Sequence, residues 1–480
     1  MLHGKNIGRM RWNLDLRNKE KYKEKEKMKI EKSMKGLLNK ILKNNNHIVF
    51  SIALILVAVC FIGMKNPNSG KTRLVLSPDK TGLMTQKIQS AIDSCAKTGG
   101  GSVVFSSGTY VSGSIKLKSH VTLQFEKGVI LQGSDNYKDY RNDAFIYGKE
   151  LSDIAICGVG IIDGVNCYNP TGEEGFRGPH CIRLINCKNI LFKDFTIKNS
   201  ANWAINCRYC SNGIVDKVSI RGGHDGLHTR FCDNFKVDNC DFRTGDDAIA
   251  GNDNRDFLIS NCKINTSCNG FRIGCFNFTV KNCQLWGPGE SVHKIQKRNN
   301  MLAAFVYFSP KDDNPKLISG NWLIENVTVE NVDHFFVYNF KDGLWQTGQP
   351  LTNIKMNNVT AKGILGAFNI IGDQDLKFSM KLENSSFSFR EGAVYKGDLF
   401  EDAKLLSPAL FSAMNFNKIE LENVTFSKKS ESPILNFNSG KFLFFEKLNL
   451  ITGNDSKPFS IEKVKSVVKN RITVNGQLDQ

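Results

Sequence analysis

Proline and paired Cys-x-x-Cys motifs are both scarce in this sequence. There are 11 prolines beside 41 glycines in 480 residues, and with 41% hydrophobic and 23% charged residues the composition is that of a globular chain. No Cys-x-x-Cys pair has a second such pair to complete a ligand set, so the 14 cysteines predict no zinc site. The length suits one large domain or several small ones.

Acidic residues are few at the N-terminus. Residues 1–47 contain 14 Lys/Arg and 5 Asp/Glu, a difference of +9 out of a formal net charge of +17. The rest of the chain therefore carries only +8 (17 − 9). Because the positive charge is concentrated in a tail, we do not expect this protein to bind nucleic acid.

One uncharged run, IVFSIALILVAVCFIGM at Ile48–Met64, follows this basic tail. Its length is at the short end for a membrane span, and the positive residues before it would stay in the cytoplasm. The same run could instead be the core of an export signal. The predicted layout is a basic cytoplasmic tail at 1–47, a membrane anchor or signal peptide at 48–64, a linker at 65–80 and an extracytoplasmic folded domain at 81–480.

A repeat of about 22 residues begins after residue 180. It is visible in CKNILFKDFTI, CSNGIVDKVSI, CDNFKVDNCDF, NRDFLISNCKI and CFNFTVKNCQL, which start at Cys187, Cys210, Cys232, Asn254 and Cys275. Short strands rich in Val, Ile and Phe at this period, without a helical pattern, indicate an all-β chain folded as a parallel β-helix. Weaker echoes extend the predicted solenoid towards the C-terminus, at 321–332, 352–363 and 417–426.

Two kinds of side chain recur in register along these repeats. The third residue of each repeat forms a column in which stacked amides can hydrogen-bond to one another, at Asn189, Asn212, Asn234, Asp256 and Asn277. Half of the cysteines form two further columns that we interpret as small core residues rather than disulfides or metal ligands, at Cys187, Cys210, Cys232 and Cys275 and at Cys240, Cys262 and Cys283.

The open end of such an array has to be covered. The segment KIQSAIDSCAKTGGG (87–101) has apolar residues at helical spacing and then a glycine stop. We predict that it is a helix that caps the N-terminal end of the β-helix.

The same period brings acidic residues into register. Asp225 and Asp247 each lie 13 positions after an asparagine of the amide column, and Asn269 lies 22 positions further on. These three side chains should therefore stack about 4.8 Å apart, the spacing of paired strands, with Asp246 beside them. A single Gly-Asp pair is more often a turn, but two in register on adjacent coils predict a functional site.

Two basic residues belong to the same predicted face. Leu227, Ile249 and Phe271 form an apolar column that should point inward, so the next column, with His228 and Arg272, should point outward beside the acids. The expected result is one exposed face with three carboxylates, an amide, an imidazole and a guanidinium.

Three carboxyl groups on one face suit the hydrolysis of a glycosidic bond. One carboxyl, kept protonated by its negative neighbours, can protonate the leaving oxygen. Another can deprotonate a water, and attack from the opposite side of the sugar, with inversion, needs roughly 6.5–9.5 Å between the two groups.

At these residues the chain resembles glycoside hydrolase family 28, the polygalacturonase family of right-handed parallel β-helices, a pectin-lyase-like solenoid. The resemblance covers about residues 75–300, including IAICGVGIIDG (154–164). The family's Asn-Thr-Asp and Gly/Gln-Asp-Asp motifs fall on Gly223-His224-Asp225 and Gly245-Asp246-Asp247. The resemblance implies inverting hydrolysis without a metal or other cofactor, with Asp246 as general acid and with Asp225 and Asp247 activating the water.

Two family motifs are missing. The family's Gly-His-Gly falls on Cys268-Asn269-Gly270, and its Arg-Ile-Lys, which grips the uronate carboxylate, has no counterpart near MLAAFVYFSP (301–310). We expect Asn269 and Arg272 to help bind the substrate, and Tyr307 or Phe308 to stack on a sugar unless they belong to the core.

The sequence leaves three functional hypotheses. The leading one is a monomeric glycosidase acting on a polysaccharide such as a branched pectin, with His228, Asn269, Arg272 and Tyr307 binding the substrate. The second is a polysaccharide lyase in which the acids hold Ca²⁺ and an arginine is the base. The third is a carbohydrate-binding β-helix without activity. A loop enlarged at the predicted cleft, GPGESVHKIQKRNN (287–300), adds His293, Lys294, Lys297 and Arg298 as further candidates.

Overall fold

The computed structural model describes residues 72–79, 81–340, 348–392, 409–429, 433–453 and 458–479. Within these ranges no helix is long and apolar enough to cross a membrane. The uncharged run at Ile48–Met64, predicted as an anchor or signal, lies outside the described residues.

The chain forms a parallel β-helix whose strands pair coil to coil in three parallel ladders. Each complete coil contributes a strand to the first, then the second, then the third ladder. The first ladder contains Thr72–Leu76, Gly101–Phe105, Val121–Phe125, Ser152–Gly158, Lys188–Lys193, Ser211–Asp216, Asp233–Asp238 and Ser466–Asn470. The second ladder contains Gly108–Ser112, Val129–Gly133, Ile161–Asp163, Thr196–Lys198, Ser219–Gly222, Asp241–Thr244, Lys263–Thr266, Gln284–Trp286 and Thr473–Val474.

The third ladder carries the predicted site. It contains Ile115–Lys116, Ala144–Lys149, His180–Ile185, Ile205–Arg208, Leu227–Arg230, Ala303–Tyr307, His334–Asn339, Gly366–Ile371, Phe411–Met414, Leu435–Asn438 and Phe459–Glu462.

Several long strands turn a corner and belong to two ladders. Ile249–Ser260 and Asn269–Lys281 join the third ladder to the first. Five others join the first ladder to the second, namely Gly320–Glu330, Asn353–Ile364, Phe378–Phe389, Phe416–Lys428 and Phe442–Thr452. At the C-terminal end, Gln477–Leu478 pairs antiparallel with Thr473–Val474.

The predicted N-terminal cap is confirmed as the helix Thr85–Lys97, which buries Ile88, Ala91, Ile92 and Cys95. The helix ends at Lys97 and the predicted glycines follow from residue 99, where Gly100 has a φ of +115°. A Cβ at this position would lie 2.4 Å from the carbonyl oxygen of His120, so the close approach of the next coil requires glycine. Three short 3₁₀ helices, at Tyr137–Asp139, Glu173–Gly175 and Lys311–Asp313, complete the helical elements of the described chain.

One boundary differs from the sequence prediction. Thr72–Leu76 is a strand that pairs with Gly101–Phe105, although residues 65–80 were predicted to be a linker. Its alternating burial explains why a short run is stable as the first strand, since every second side chain faces the end of the core.

The amide column has the predicted geometry and a clear reason for its composition. Asn189, Asn212 and Asn234 all have φ near +55°, the left-handed region that asparagine tolerates better than other non-glycine residues. The side-chain amide of Asn212 donates to Asn189 at 3.0 Å, and that of Asn234 donates to Asn212 at 2.8 Å. The column therefore fixes the turn of each coil and satisfies its own polar groups at the surface.

The cysteine columns are core columns, as predicted. Thirteen cysteines in the described chain are free thiols, and all but Cys157 are buried. The thiol of Cys210, for example, lies 3.4 Å from the carbonyl oxygen of Arg208, two residues before it. Cysteine at these corners supplies a small apolar side chain and a weak donor to a turn carbonyl.

Candidate active site

The predicted acid column is present at one corner of the β-helix. Asp225, Asp247 and Asn269 lie where three successive third-ladder strands begin, and the amide nitrogens of the next residue, Gly226 and Ala248, donate to the carbonyl oxygens of Asp247 and Asn269, both at 2.9 Å. The register therefore places these three positions directly above one another, and Asp246 lies at the same corner.

The acids are not on an exposed face, contrary to the sequence prediction. The side chains of Asp225 and Asp247 are 2% and 1% exposed, and only that of Asp246, at 18%, reaches solvent to a significant extent. The reason is that longer connections cover this corner. A Cβ on Gly245 would lie 2.6 Å from the carbonyl oxygen of Val292, which belongs to the connection between Gln284–Trp286 and the third ladder.

His228 holds Asp225 and does not face the cleft. It is buried, so its predicted contact with substrate is wrong for this conformation. Its Nε2 accepts a hydrogen bond from Arg230 Nε at 3.3 Å, so its ring proton is on Nδ1 and is donated to Asp225 Oδ2 at 2.7 Å. Burial and then the charge of Arg230 hold the pKa of His228 well below its ordinary value, so the ring is neutral. Trp203 stacks on the ring at 3.6 Å between centroids.

Asp225 is the member of the acid cluster whose pKa is raised. Burial, followed by the negative charges of Asp246 and Asp247, raises the pKa of Asp225 well above its ordinary value. Since Oδ2 accepts the proton of His228, Oδ1 is the oxygen that carries the proton when Asp225 is protonated.

Asp247 has two hydrogen-bond partners on the next coil. Its Oδ1 accepts from the side-chain amide of Asn269 at 2.8 Å, and its Oδ2 accepts from Arg272 Nε. The Arg272 guanidinium lies over the ring of Phe308, with 4.1 Å from its central carbon to the ring centroid. Burial opposes the charge of Arg272, but Asp247 and then Asp225 outweigh burial and raise its pKa. Arg272 is thus already paired, which weighs against its predicted use as the clamp for a substrate carboxylate.

Asp246 has a histidine partner that comes from the enlarged loop. His293 Nε2 lies 3.5 Å from Asp246 Oδ1. The other ring nitrogen, Nδ1, accepts from the main-chain N–H groups of Ile295 and Gln296 at 3.2 and 3.0 Å, so the ring proton is on Nε2 and points at the carboxylate. Burial works against ionisation, but the hydrogen bond from His293 and then the charge of Arg272 lower the pKa of Asp246.

The enlarged loop is fastened to the coils on both sides of His293. Ser267 Oγ donates to the carbonyl oxygen of Ser291 at 2.5 Å, and Glu290 forms an ion pair of 2.7 Å with Arg243. Arg298 Nη1 donates to the carbonyl oxygens of Ser267 and Asn300 at 2.7 and 3.1 Å. These contacts fix the imidazole against Asp246.

The predicted role of Tyr307 is wrong. Tyr307 is in the core, and its hydroxyl donates to the carbonyl oxygens of Gln349 and Pro350 at 2.8 and 3.2 Å. Asn269 is buried as well, and the oxygen of its side-chain amide has no hydrogen-bond partner among the described residues. A water donor would satisfy that oxygen.

Arg177 belongs to the site but was missed from the sequence. It is buried, and its Nη1 lies 3.2 Å from both His224 Nδ1 and the side-chain oxygen of Asn202. It lies in the connection from Ile161–Asp163 to His180–Ile185, which leads from the second ladder to the third. His293 lies in the corresponding connection of a later coil. Two connections longer than the repeat predicts, both at the corner of the acids, were the available signal.

Two groups of side chains have the spacing of metal ligands. One oxygen from each of Asp225, Asp246 and Asp247 lies within 4.8 Å of the others, and Asp246, Cys268 and His293 form a second such group. The contacts favour protons over a cation at both. In the group with His293, the proton on Nε2 occupies the position that a metal would need. In the group of three acids, both oxygens of Asp247 already accept hydrogen bonds, from Asn269 and Arg272.

Comparison with known proteins agrees with the fold and the acid motifs. The family model of glycosyl hydrolases family 28 matches residues 95–276, which include the three acids. The resemblance to family 28 is confirmed. His293 and its loop lie beyond the matched residues.

Individual relatives are distant. A probable polygalacturonase of Vitis vinifera is 25% identical over 164 residues, which are 29% of this chain and 33% of the relative. The chain thus matches about a third of the length of that curated relative.

Two solved structures show the same fold. The family 28 exopolygalacturonase of Yersinia enterocolitica has a TM-score of 0.50 at 16% identity and covers 85% of this chain and 80% of its own. A tailspike protein of E. coli bacteriophage HK620, solved with a pentasaccharide, has a TM-score of 0.52 at 14% identity and covers 84% and 78%.

Proposed function

We propose that this protein is a glycosidase that hydrolyses a pectin-related polysaccharide by acid–base catalysis with inversion. The observation that carries the proposal is a cluster of three carboxyls at one corner, each with a different partner: His228 for Asp225, His293 for Asp246 and Arg272 for Asp247. Burial and the neighbouring acids raise the pKa of Asp225, whereas His293 and Arg272 lower the pKa of Asp246. The Asp247 carboxyl accepts from Arg272. Carboxyls whose environments separate their pKa values are the usual way to obtain an acid and a base in one site.

Asp246 is the carboxyl that meets the glycosidic oxygen. It is the most exposed of the three, and its partner His293 lines an adjoining cleft. We propose that substrate binding excludes water from Asp246 and raises its pKa, so that the proton of Asp225 moves to Asp246. This single transfer gives a general acid at Asp246 and leaves Asp225 as a carboxylate base.

A water beside Asp225 and Asp247 is the proposed nucleophile. The unpartnered oxygen of the Asn269 amide and the carboxylates supply acceptors for its two protons. As Asp246 protonates the leaving oxygen and the anomeric C–O bond breaks, the water attacks the anomeric carbon and gives its proton to Asp225. Oxygens of the acids approach within 4.8 Å, closer than the roughly 6.5–9.5 Å between carboxyl groups of most inverting enzymes, so inversion rests on the family resemblance.

His293 answers the absence of the family histidine. That absence leaves an inactive carbohydrate-binding protein as one of the three hypotheses, but an imidazole from a different part of the chain contacts Asp246. We therefore propose an active glycosidase rather than an inactive carbohydrate-binding protein. Export or anchoring through residues 48–64, with 81–480 acting outside the membrane as a monomer, remains part of the proposal on sequence grounds.

Asp246→Asn tests the proposal directly. We expect turnover of polygalacturonate or a branched pectin to fall by at least about 10²-fold, with thermal stability unchanged because Asp246 is the most exposed of the acids. A reducing-end assay measures turnover, and NMR identifies the anomer that is released first.

Two outcomes would contradict it. Release of unsaturated products that absorb in the ultraviolet, lost in EDTA and restored by Ca²⁺, would assign a lyase. Full activity of Asp246→Asn would remove the acid cluster from the reaction.

A further inference from the structure

A polar cleft of about 340 Å³ adjoins the acid cluster on the side of the enlarged loop. Its lining includes His293, whose Nε2 contacts Asp246, so a sugar chain that reaches Asp246 would pass over this cleft. The other side chains that matter here are those of Asn166, Asn199, Lys294 and Lys297.

Lys294 is held in the cleft by its hydrocarbon stem. A Cβ added to Gly223 would lie 2.2 Å from Cε and 2.6 Å from Cγ of Lys294, so the stem lies flat on the backbone of that glycine. Gly223 precedes the turn that carries Asp225, which fixes the distance between the lysine and the acid cluster. A partly buried stem of this kind loses little freedom when its ammonium binds a ligand.

Neither lysine has a carboxylate partner in the described chain. The ion pairs of the site use Arg177, Arg230 and Arg272, and none involves Lys294 or Lys297. Lys294 is near enough to His224 for its charge to lower the pKa of that histidine, which is about 3 through burial and then the charge of Arg177. Two positive charges thus face a polar cleft without being neutralised.

We infer that this cleft is a binding subsite for a sugar that carries an anionic group, a carboxylate or a sulfate ester, next to the bond that is cleaved. Lys294 and Lys297 would bind the anionic group, and the side-chain amides of Asn166 and Asn199 would bind hydroxyls of the same sugar. The inference rests on the proposed function for its place beside the cleaved bond, and it assigns to the loop the charge recognition that Arg272 cannot supply while paired with Asp247.

The test is a binding measurement on the whole chain, so that it does not depend on turnover. The probes are trigalacturonate, its methyl ester and a sulfated galacto-oligosaccharide of the same length, bound to wild-type protein, to Lys294→Gln/Lys297→Gln and to Lys263→Gln as the matched control. Lys263 is an exposed lysine of the second ladder outside the cleft.

We expect the double variant to bind the preferred anionic probe at least about ten-fold more weakly, since each charge-assisted hydrogen bond contributes that much or more. Lys263→Gln should bind the anionic probes with the affinity of wild type. The methyl ester should bind wild type and both variants with the same affinity. A preference for trigalacturonate or for the sulfated probe identifies the anion.

Equal affinity of wild type and double variant for both anionic probes overturns the inference. So does equal affinity of wild type for the uncharged methyl ester and for the anionic probe that it binds best. Failure of wild type to bind either anion overturns it as well. If lysine-dependent binding is found but no polysaccharide is hydrolysed, the proposed function fails and the subsite stands.

Discussion

The amide column and the acid column are built on the same period and differ in what satisfies them. Asn212 and Asn234 lie at the surface and bond to the identical side chain one coil away. Asp225 and Asp247 are buried, and a carboxyl group, unlike an amide, cannot donate and accept at every coil of a column because it loses its only donor when it ionises. A column of amides is complete in itself, whereas a column of acids needs partners from outside its own register.

Those partners come from three different places, and each acid has a different one. His228 lies three positions after Asp225 and donates to it, whereas Arg272 lies on the coil after Asp247, three positions after Asn269, and donates to Asp247. His293 comes from an inserted loop and holds Asp246. The repeat thus supplies geometry, and departures from the repeat supply chemistry.

The largest effect should come from removing the charge of Asp247. In Asp247→Asn, Arg272 keeps a buried charge without its main partner, and we expect the free energy of unfolding to fall by about 3 kcal/mol together with loss of activity. Urea unfolding and a reducing-end assay measure the two effects.

The double variant Asp247→Asn/Arg272→Gln is the control. It should regain much of the stability and none of the activity, because the unpaired charge is gone while the acid is still missing. Unchanged stability in the single variant would mean that the pairing of Asp247 with Arg272 does not stabilise the fold.

Replacing His293 should shift the pH dependence rather than abolish the reaction. The imidazole lowers the pKa of Asp246, so in His293→Leu that pKa rises and protonation of Asp246 begins at higher pH. We expect the acid limb of the kcat/KM profile to move up by about one pH unit.

His293→Gln keeps an N–H donor and should restore part of this shift. An acid limb in the same place for wild type, His293→Leu and His293→Gln would show that the loop does not act on Asp246.

The smallest effect on activity belongs to the amide column. Asn234→Ala puts an alanine at φ +56° and breaks an amide contact, which should cost about 1–2 kcal/mol of stability and leave turnover within two-fold. Asn234→Gly should recover the backbone part of that loss. A large drop in turnover for Asn234→Ala would show that the two columns are coupled through the coil.

The period alone was enough to predict the fold and the register of the acids. Spacings of 21 to 23 residues place Asp225, Asp247 and Asn269 in one column, and the structure pairs the strands that follow them in this register. The capping helix followed from four apolar residues at helical spacing. These features depend on local sequence and on the pairing of neighbouring coils.

Burial and partners at the site could not be predicted in the same way. An alternating pattern distinguishes inside from outside on a bare coil, but Asp225 and Asp247 are covered by connections that obey no period. His293 was only one of four candidates in its loop, and nothing in the sequence gave the contact with Asp246. Arg177 has no repeat partner at all, since it belongs to an irregular connection.

The cysteine columns allow the unfolding of individual coils to be followed by chemical labelling. Thirteen free thiols lie between Cys95 and Cys283, and the sequence has no cysteine after Cys283. An alkylating reagent added at rising denaturant would therefore label the N-terminal coils as they unfold. The coils after Cys283 have no thiol and would unfold without being labelled. The mass of each labelled peptide would then report which coils separate first.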